Sequence, residues 1–215
     1  MGCREVKSKM GAIALCLCPV WPQISAALLF PLQETQVREA YFLGSGDREK
    51  AARFLGQYVR EYPEPAKGAW VYRIDFRTPY EEIVRRSWEK TVGYSAQQAQ
   101  RDYYAQPDLV IVRVLISFMP PYGSTLSPTI RNGQPVGRSE DLWRDFPVHV
   151  MQSRPIEPRT VNARPLYSRR QRGVGGAEIS LEFIALQFSS EVARVEVTTP
   201  DGETVHAEFD LDRLN

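Results

Sequence analysis

The sequence predicts an α+β protein, with an N-terminal helical hairpin packed on a mainly antiparallel, β-sandwich-like domain of about six or seven strands. Three observations carry that expectation. Apolar residues recur at three- and four-residue spacing early in the chain and at two-residue spacing after Trp70. The late apolar runs are also joined by turn chemistry that suits hairpins.

The helical segment spans 28–66. A first helix is expected from Glu34 to Leu43, broken by Gly44-Ser45-Gly46, and Asp47 is a good N-cap for a second. Ala51, Phe54, Leu55, Tyr58, Val59 and Tyr62 then fall on one helical face, and Pro63 and Pro65 end the unit.

The β-rich domain spans 67–215, with helices inserted at 79–106. Trp70, Tyr72, Ile74 and Phe76 alternate with Val71, Arg73, Asp75 and Arg77, which predicts a strand with the first set buried and the second largely wet. Thr78 caps the next helix, Pro79 suits its first position, and Glu81 is placed to complete a capping box. Another helix starts at Ser95 and stops before Pro107. Leu109 to Met119 is almost continuously apolar and reads as a strand covered on both faces.

An irregular stretch follows from Pro120 to Asp145, with a hairpin turn at Asn132-Gly133 and a short helix from Ser139 to Arg144. Phe146 to Met151 is a strand. Pro155, Pro158 and Pro165 punctuate a long connection to Gly176. The remaining strands are Ile179 to Phe188, Val192 to Thr198 and Thr204 to Leu211. Thr199-Pro200-Asp201-Gly202-Glu203 suits a type I turn closed by a glycine bulge between the last two.

Residues 1–27 read as a secretory signal peptide. Arg4, Lys7 and Lys9 make a basic start, Met10 to Trp21 is uncharged and largely apolar, and Ser25-Ala26-Ala27 supplies the small residues that precede cleavage. The apolar run is shorter than the roughly 20 residues of a membrane span, so no transmembrane helix is expected after cleavage. Leu15 and Leu17 precede Cys16 and Cys18, which does not fit a lipid-anchoring site. The expected address is extracytoplasmic, periplasmic or secreted. All three cysteines lie in this segment, so the mature chain has no disulfide and must be held by its core. Losing three basic residues and one acidic residue takes the formal charge from +1 to −1, which gives no global attraction to nucleic acid.

Catalytic and metal motifs are hard to find. His149 and His206 both fall on the polar face of a strand, and without cysteine they are too few for a zinc site, so no metal or cofactor is expected. No serine sits in a Gly-x-Ser-x-Gly elbow, and Ser124 and Ser127 lie among turn residues. Glu81 and Glu82 are explained by the helix start, where negative charge is favourable. Gly173-Val174-Gly175-Gly176 lacks the lysine of a phosphate loop.

One feature stands out. Arg154, Arg159, Arg164, Arg169, Arg170 and Arg172 crowd a stretch whose only acid is Glu157. Guanidinium forks suit carboxylate, phosphate and sulfate, and Tyr167 offers a stacking surface beside them. Arg164, Tyr167, Arg169, Arg170 and Arg172 are therefore the candidate binding residues. The pattern points to an exported, non-enzymatic binding or scaffolding module that meets an acidic glycan, a lipid headgroup or an acidic protein surface through the basic loop 154–172. The competing expectation is an extracytoplasmic hydrolase using carboxylate acid/base chemistry from Glu140, Asp141, Asp145 and His149.

Overall fold

A computed structural model describes residues 30–64, 68–90, 92–118, 129–131, 134–136, 145–168 and 173–212. The expected signal peptide and the Ser139–Arg144 helix lie outside the described residues. The fold is α+β, as predicted. Among the described residues four helices accompany two main antiparallel sheets, one of five strands and one of four.

Helices α1 (Glu34–Ser45) and α2 (Arg48–Gly56) form the N-terminal pair. Asp47 caps α2 as expected, its carboxylate accepting from the amides of Glu49 at 2.8 Å and Lys50 at 3.2 Å. The apolar stripe does not continue as helix. Val59–Glu61 instead forms strand β1, which pairs with β2 (Ala69–Arg77) at the sheet edge. Two long-range bonds favour the strand: the Arg60 guanidinium donates to the carbonyl of Glu208 at 2.9 Å, and the Tyr62 hydroxyl donates to that of His206 at 2.7 Å. Arg60 also lies 4.7 Å from the centre of the Phe209 ring. Tertiary contacts thus override the local helical period.

Helix α3 (Pro79–Glu89) follows β2, and α4 (Ala96–Tyr104) follows α3. Thr78 and Ser95 cap them, each side-chain oxygen accepting a backbone amide at 3.2 Å. Strand β3 (Leu109–Phe118) is the centre of the larger sheet, and a separate small hairpin, β4 (Thr129–Arg131) and β5 (Gln134–Val136), flanks Asn132-Gly133. Then come β6 (Val148–Met151), β7 (Pro155–Ile156), β8 (Thr160–Ser168), β9 (Gly173–Ile184), β10 (Val192–Thr198) and β11 (Thr204–Asp210). The five-stranded order is β1-β2-β3-β9-β8 and the four-stranded order is β11-β10-β6-β7.

The stretch from Pro155 to Gly176 is therefore mostly strand, not connection. Pro155 and Pro165 mislead a sequence reading because proline is excluded from central strands. Here β7 and β8 are edge strands, where a missing amide costs no ladder bond. At the other end of β9, Ala185–Gln187 is a single 3₁₀ turn where a continued strand was expected. The turn after β10 is as predicted. Gly202 has φ of +85°, its amide donates to the Thr199 carbonyl at 2.9 Å, and the Thr199 amide donates to Glu203 at 2.8 Å.

Between the sheets, Ile74, Phe76, Val112, Val114, Ile179 and Leu181 meet Ala193, Val195, Val197, Ala207 and Phe209 in one core cluster. Phe76 is fully buried, stacked on Phe209 at 5.1 Å and edge-on to Phe188 at 5.5 Å. A bulge between Val71 and Arg73 shifts the expected alternation of β2. Val71 joins Ile74 and Phe76 in the core, while Trp70 and Tyr72 are only half-buried. The other face of the larger sheet carries Arg73, Asp75, Arg77, Arg113 and Glu178, and α2 and α3 wall it in. Gly44 sets how closely α1 and α3 approach, since a β-carbon there would lie 2.1 Å from the Val84 carbonyl oxygen.

Candidate functional site

The outer face of the five-stranded sheet forms the floor of a charged cleft of about 660 Å³, with walls from α2 and α3. Strand alternation places Arg73, Asp75 and Arg77 side by side on β2, with Arg113 opposite Asp75 on β3. Asp75 is 5% exposed at its side chain and is the hub of the floor. Arg73 Nε donates to its Oδ1 at 2.5 Å, while Arg77 and Arg113 lie at 3.6 and 3.8 Å from Oδ2.

Arg113 turns its other side to Glu178 on β9, donating from Nε at 3.0 Å and approaching with Nη2 at 2.7 Å. Arg164 on β8 donates to the same carboxylate at 2.6 Å. Burial alone would raise Glu178, but the hydrogen bonds and charges of Arg113 and Arg164 outweigh it and hold the carboxyl below the usual range. The result is a row of alternating charge across β2, β3, β9 and β8.

Helix α3 adds a second tier. Glu81 and Glu82 reach Arg85 and Arg86 one turn on. Arg85 donates to Glu81 at 3.0 and 3.3 Å and also contacts Glu82, while Arg86 donates to Glu82 at 2.9 Å. The two acids respond differently. Burial pushes Glu81 up to about 7 against the pull of Arg85 and Arg77, its side chain being 5% exposed. In Glu82 the charges of Arg85, Arg86 and Arg77 overcome burial, and the carboxyl sits below its ordinary value. Glu81 was expected to complete a capping box; instead its carboxylate is committed to Arg85. Trp88 lines the same cleft, with its Nε1 buried and without a hydrogen-bond partner among the described residues.

The sequence-nominated residues fall in different places. Arg164 belongs to the charged row. Tyr167, at the far end of β8, is 73% exposed. Arg169, Arg170 and Arg172 lie outside the described residues, between the paired ends of β8 and β9 at Ser168 and Gly173. Arg154 and Arg159 are exposed, flanking β7. Of the acid/base candidates, Glu140 and Asp141 lie outside the described residues, Asp145 is half-buried and His149 is exposed. His149 and His206 are both opposite Glu196 on neighbouring strands, and His206 Nδ1 lies 3.2 Å from it. Among the described residues no three histidine, cysteine or carboxylate side chains converge as a metal site would require.

Sequence reasoning missed the floor of the cleft. It read Arg73, Asp75 and Arg77 as a wet face and Glu81-Glu82 as helix-start chemistry. The available signal was their combination: an Arg-x-Asp-x-Arg strand leading directly into a helix with Glu81-Glu82 four residues before Arg85-Arg86. No protein-family model and no curated protein sequence matches the chain.

Proposed function

We propose that this protein is an exported, non-enzymatic binding module that presents the arginine-bearing outer face of its five-stranded sheet to an acidic partner. One observation carries the reading. Guanidinium groups from β2, β3 and β8 line one face and lead to the β8–β9 connection, which holds Arg169, Arg170 and Arg172. Arg164 has a side chain 67% exposed although it is bonded to Glu178, so it is accessible at the end of that row. Such forks suit the carboxylates, sulfates or phosphates of an acidic glycan, lipid headgroup or protein surface. Export rests on the tripartite N-terminus, and among the described residues no helix is long and apolar enough to cross a membrane.

The test is affinity capture from the native extracytoplasmic fraction, with protein beginning at Leu28. Wild type should retain a partner that the Arg169→Ala, Arg170→Ala, Arg172→Ala triple variant loses. Equal retention by both would reject the basic-loop reading, and a mass including residues 1–27 in the mature protein would reject cleavage.

A hydrolase is the second reading, and Glu81 is what favours it. A carboxyl titrating near 7 beside Asp75 resembles a general acid in a cleft. Both Glu81 oxygens accept from Arg85, however, so a substrate would have to displace that arginine first. Hydrolysis of a glycan or phosphoester that Glu81→Gln abolishes would favour this reading over the binding module.

A further inference from the structure

Arg77 stands apart from the other guanidinium groups of the cleft and of the charged residues beside it. Arg73, Arg85, Arg86, Arg113 and Arg164 each donate at least one side-chain hydrogen bond to a carboxylate. Arg77 forms ion pairs with Asp75 at 3.6 Å and Glu82 at 3.8 Å, both beyond hydrogen-bonding distance, so its five donors make no side-chain hydrogen bond among the described residues. It is also largely enclosed, with a side chain 17% exposed. Burial first, then the neighbouring charges of Arg85 and Arg113, push its pKa below the ordinary arginine value, and the pull of Glu81 and Asp75 does not fully offset them. An enclosed cation crowded by like charges and short of acceptors is stabilised by one more anion.

Four guanidinium groups, those of Arg73, Arg77, Arg85 and Arg113, and four carboxylates, those of Glu61, Asp75, Glu81 and Glu89, line the 660 Å³ cleft. Glu61 and Glu89 are exposed at its rim, and in the enclosed part Arg77, Arg85 and Arg113 face Asp75 and Glu81. Arg77 borders both the 660 Å³ cleft and a second one of about 360 Å³ on the far side of α3, so its donors face space that a small group can enter.

We propose that Arg77, assisted by Arg73 and Arg113, binds an oxyanion in this cleft: a carboxylate or phosphate group borne by a small or extended ligand. The site rests on the binding-module reading above and gives it a defined point of contact within the sheet face. The bond is a bidentate, charge-assisted pair that replaces the two loose contacts of Arg77.

The experiment uses the protein purified as the cell produces it, titrated with potassium phosphate or sodium citrate at ionic strength held constant with KCl. Side-chain Nε–Hε resonances of ¹⁵N-labelled arginine are followed, with Arg77 assigned through Arg77→Lys. The Arg77 resonance should move saturably with one or both probes. A response to phosphate alone identifies a phosphate ligand, and a response to citrate alone a carboxylate. Arg77→Gln should weaken apparent affinity at least tenfold, while Arg194→Gln, on the other sheet, should leave it unchanged. An Arg77 resonance that no probe moves beyond the KCl control would overturn the proposal, as would Arg77→Gln binding as tightly as wild type. The wild-type spectra decide the matter even if Arg77→Gln fails to fold. Partner capture that persists when both probes fail rejects Arg77 and keeps the module. Probe binding without any captured partner rejects the module and keeps the site.

Discussion

Replacing Gly44 with alanine should destabilise the protein, although alanine is the better helix former. Gly44 lies in α1 where it crosses α3, and a β-carbon built there falls 2.1 Å from the Val84 carbonyl oxygen and 2.8 Å from Ser87 Cβ. Because the nearest obstacle is backbone, relief requires the two helices to separate by roughly 1 Å to restore van der Waals contact. Overpacking of this kind costs about 3 kcal/mol at the upper end of its usual range, and the gain in helix propensity returns about 1 kcal/mol. The net loss of about 2 kcal/mol corresponds to a fall of roughly 4–8 °C in melting temperature for a chain of this size. Gly56 is the internal control. It ends α2 with nothing within 4 Å of its β-carbon position, so Gly56→Ala should raise stability by about 0.5 kcal/mol. Thermal and urea unfolding followed by circular dichroism measure both. If Gly44→Ala proves as stable as Gly56→Ala, the close crossing of α1 and α3 is refuted, and with it the wall position of α3, which carries Glu81 and Arg85.

Two further outcomes test the core and the cleft. Phe76→Ala removes a fully buried ring from between Phe209 and Phe188 and should cost about 3–5 kcal/mol, read as a lower urea midpoint; a loss below 1 kcal/mol would contradict the inter-sheet packing. Glu81 gives the pH dependence. Burial raises its carboxyl to about 7 when folded, from an ordinary value of 4.5, and it faces Arg85 and Glu82 on its own helix and Arg77 and Asp75 on β2. The folded state therefore binds the proton more tightly. This contribution to stability is fully present below about 4.5 and is lost as pH rises through about 7, by up to about 3 kcal/mol. Subtracting the Glu81→Gln curve from wild type should isolate that fall, and a difference that is flat or rising between pH 5 and 7.5 would refute the burial of Glu81.

Much of the architecture is determined locally. Asp47, Thr78 and Ser95 start their helices because a short side-chain oxygen reaches an otherwise unpaired amide, whatever lies further away. The Pro200-Asp201-Gly202 turn forms because glycine alone enters its positive-φ corner without strain. The continuous apolar run of β3 and the apolar alternation of β9, β10 and β11 require buried sheet faces, and so a sandwich. These features depend on neighbours within a few residues, and they are legible in the chain.

Three decisions belong to the tertiary structure. Val59 and Tyr62 continue a helical period, yet pairing with β2 and bonds to β11 make them strand and strand flank. Prolines argue against strands until the sheet order shows that β7 and β8 are edges. The cleft and the charged row beside it are the third case, because their charges come from β2, α3, β3, β8 and β9, and Glu178 is 65 residues from one guanidinium that holds it and 14 from the other. Each of its residues has an ordinary local explanation as a wet strand face or a helix start. Sequence periodicity reports which face a residue takes, but not what covers that face. Only the packing of α2 and α3 over the sheet encloses Asp75, Glu81 and Arg77, and enclosure is what turns surface charges into a site.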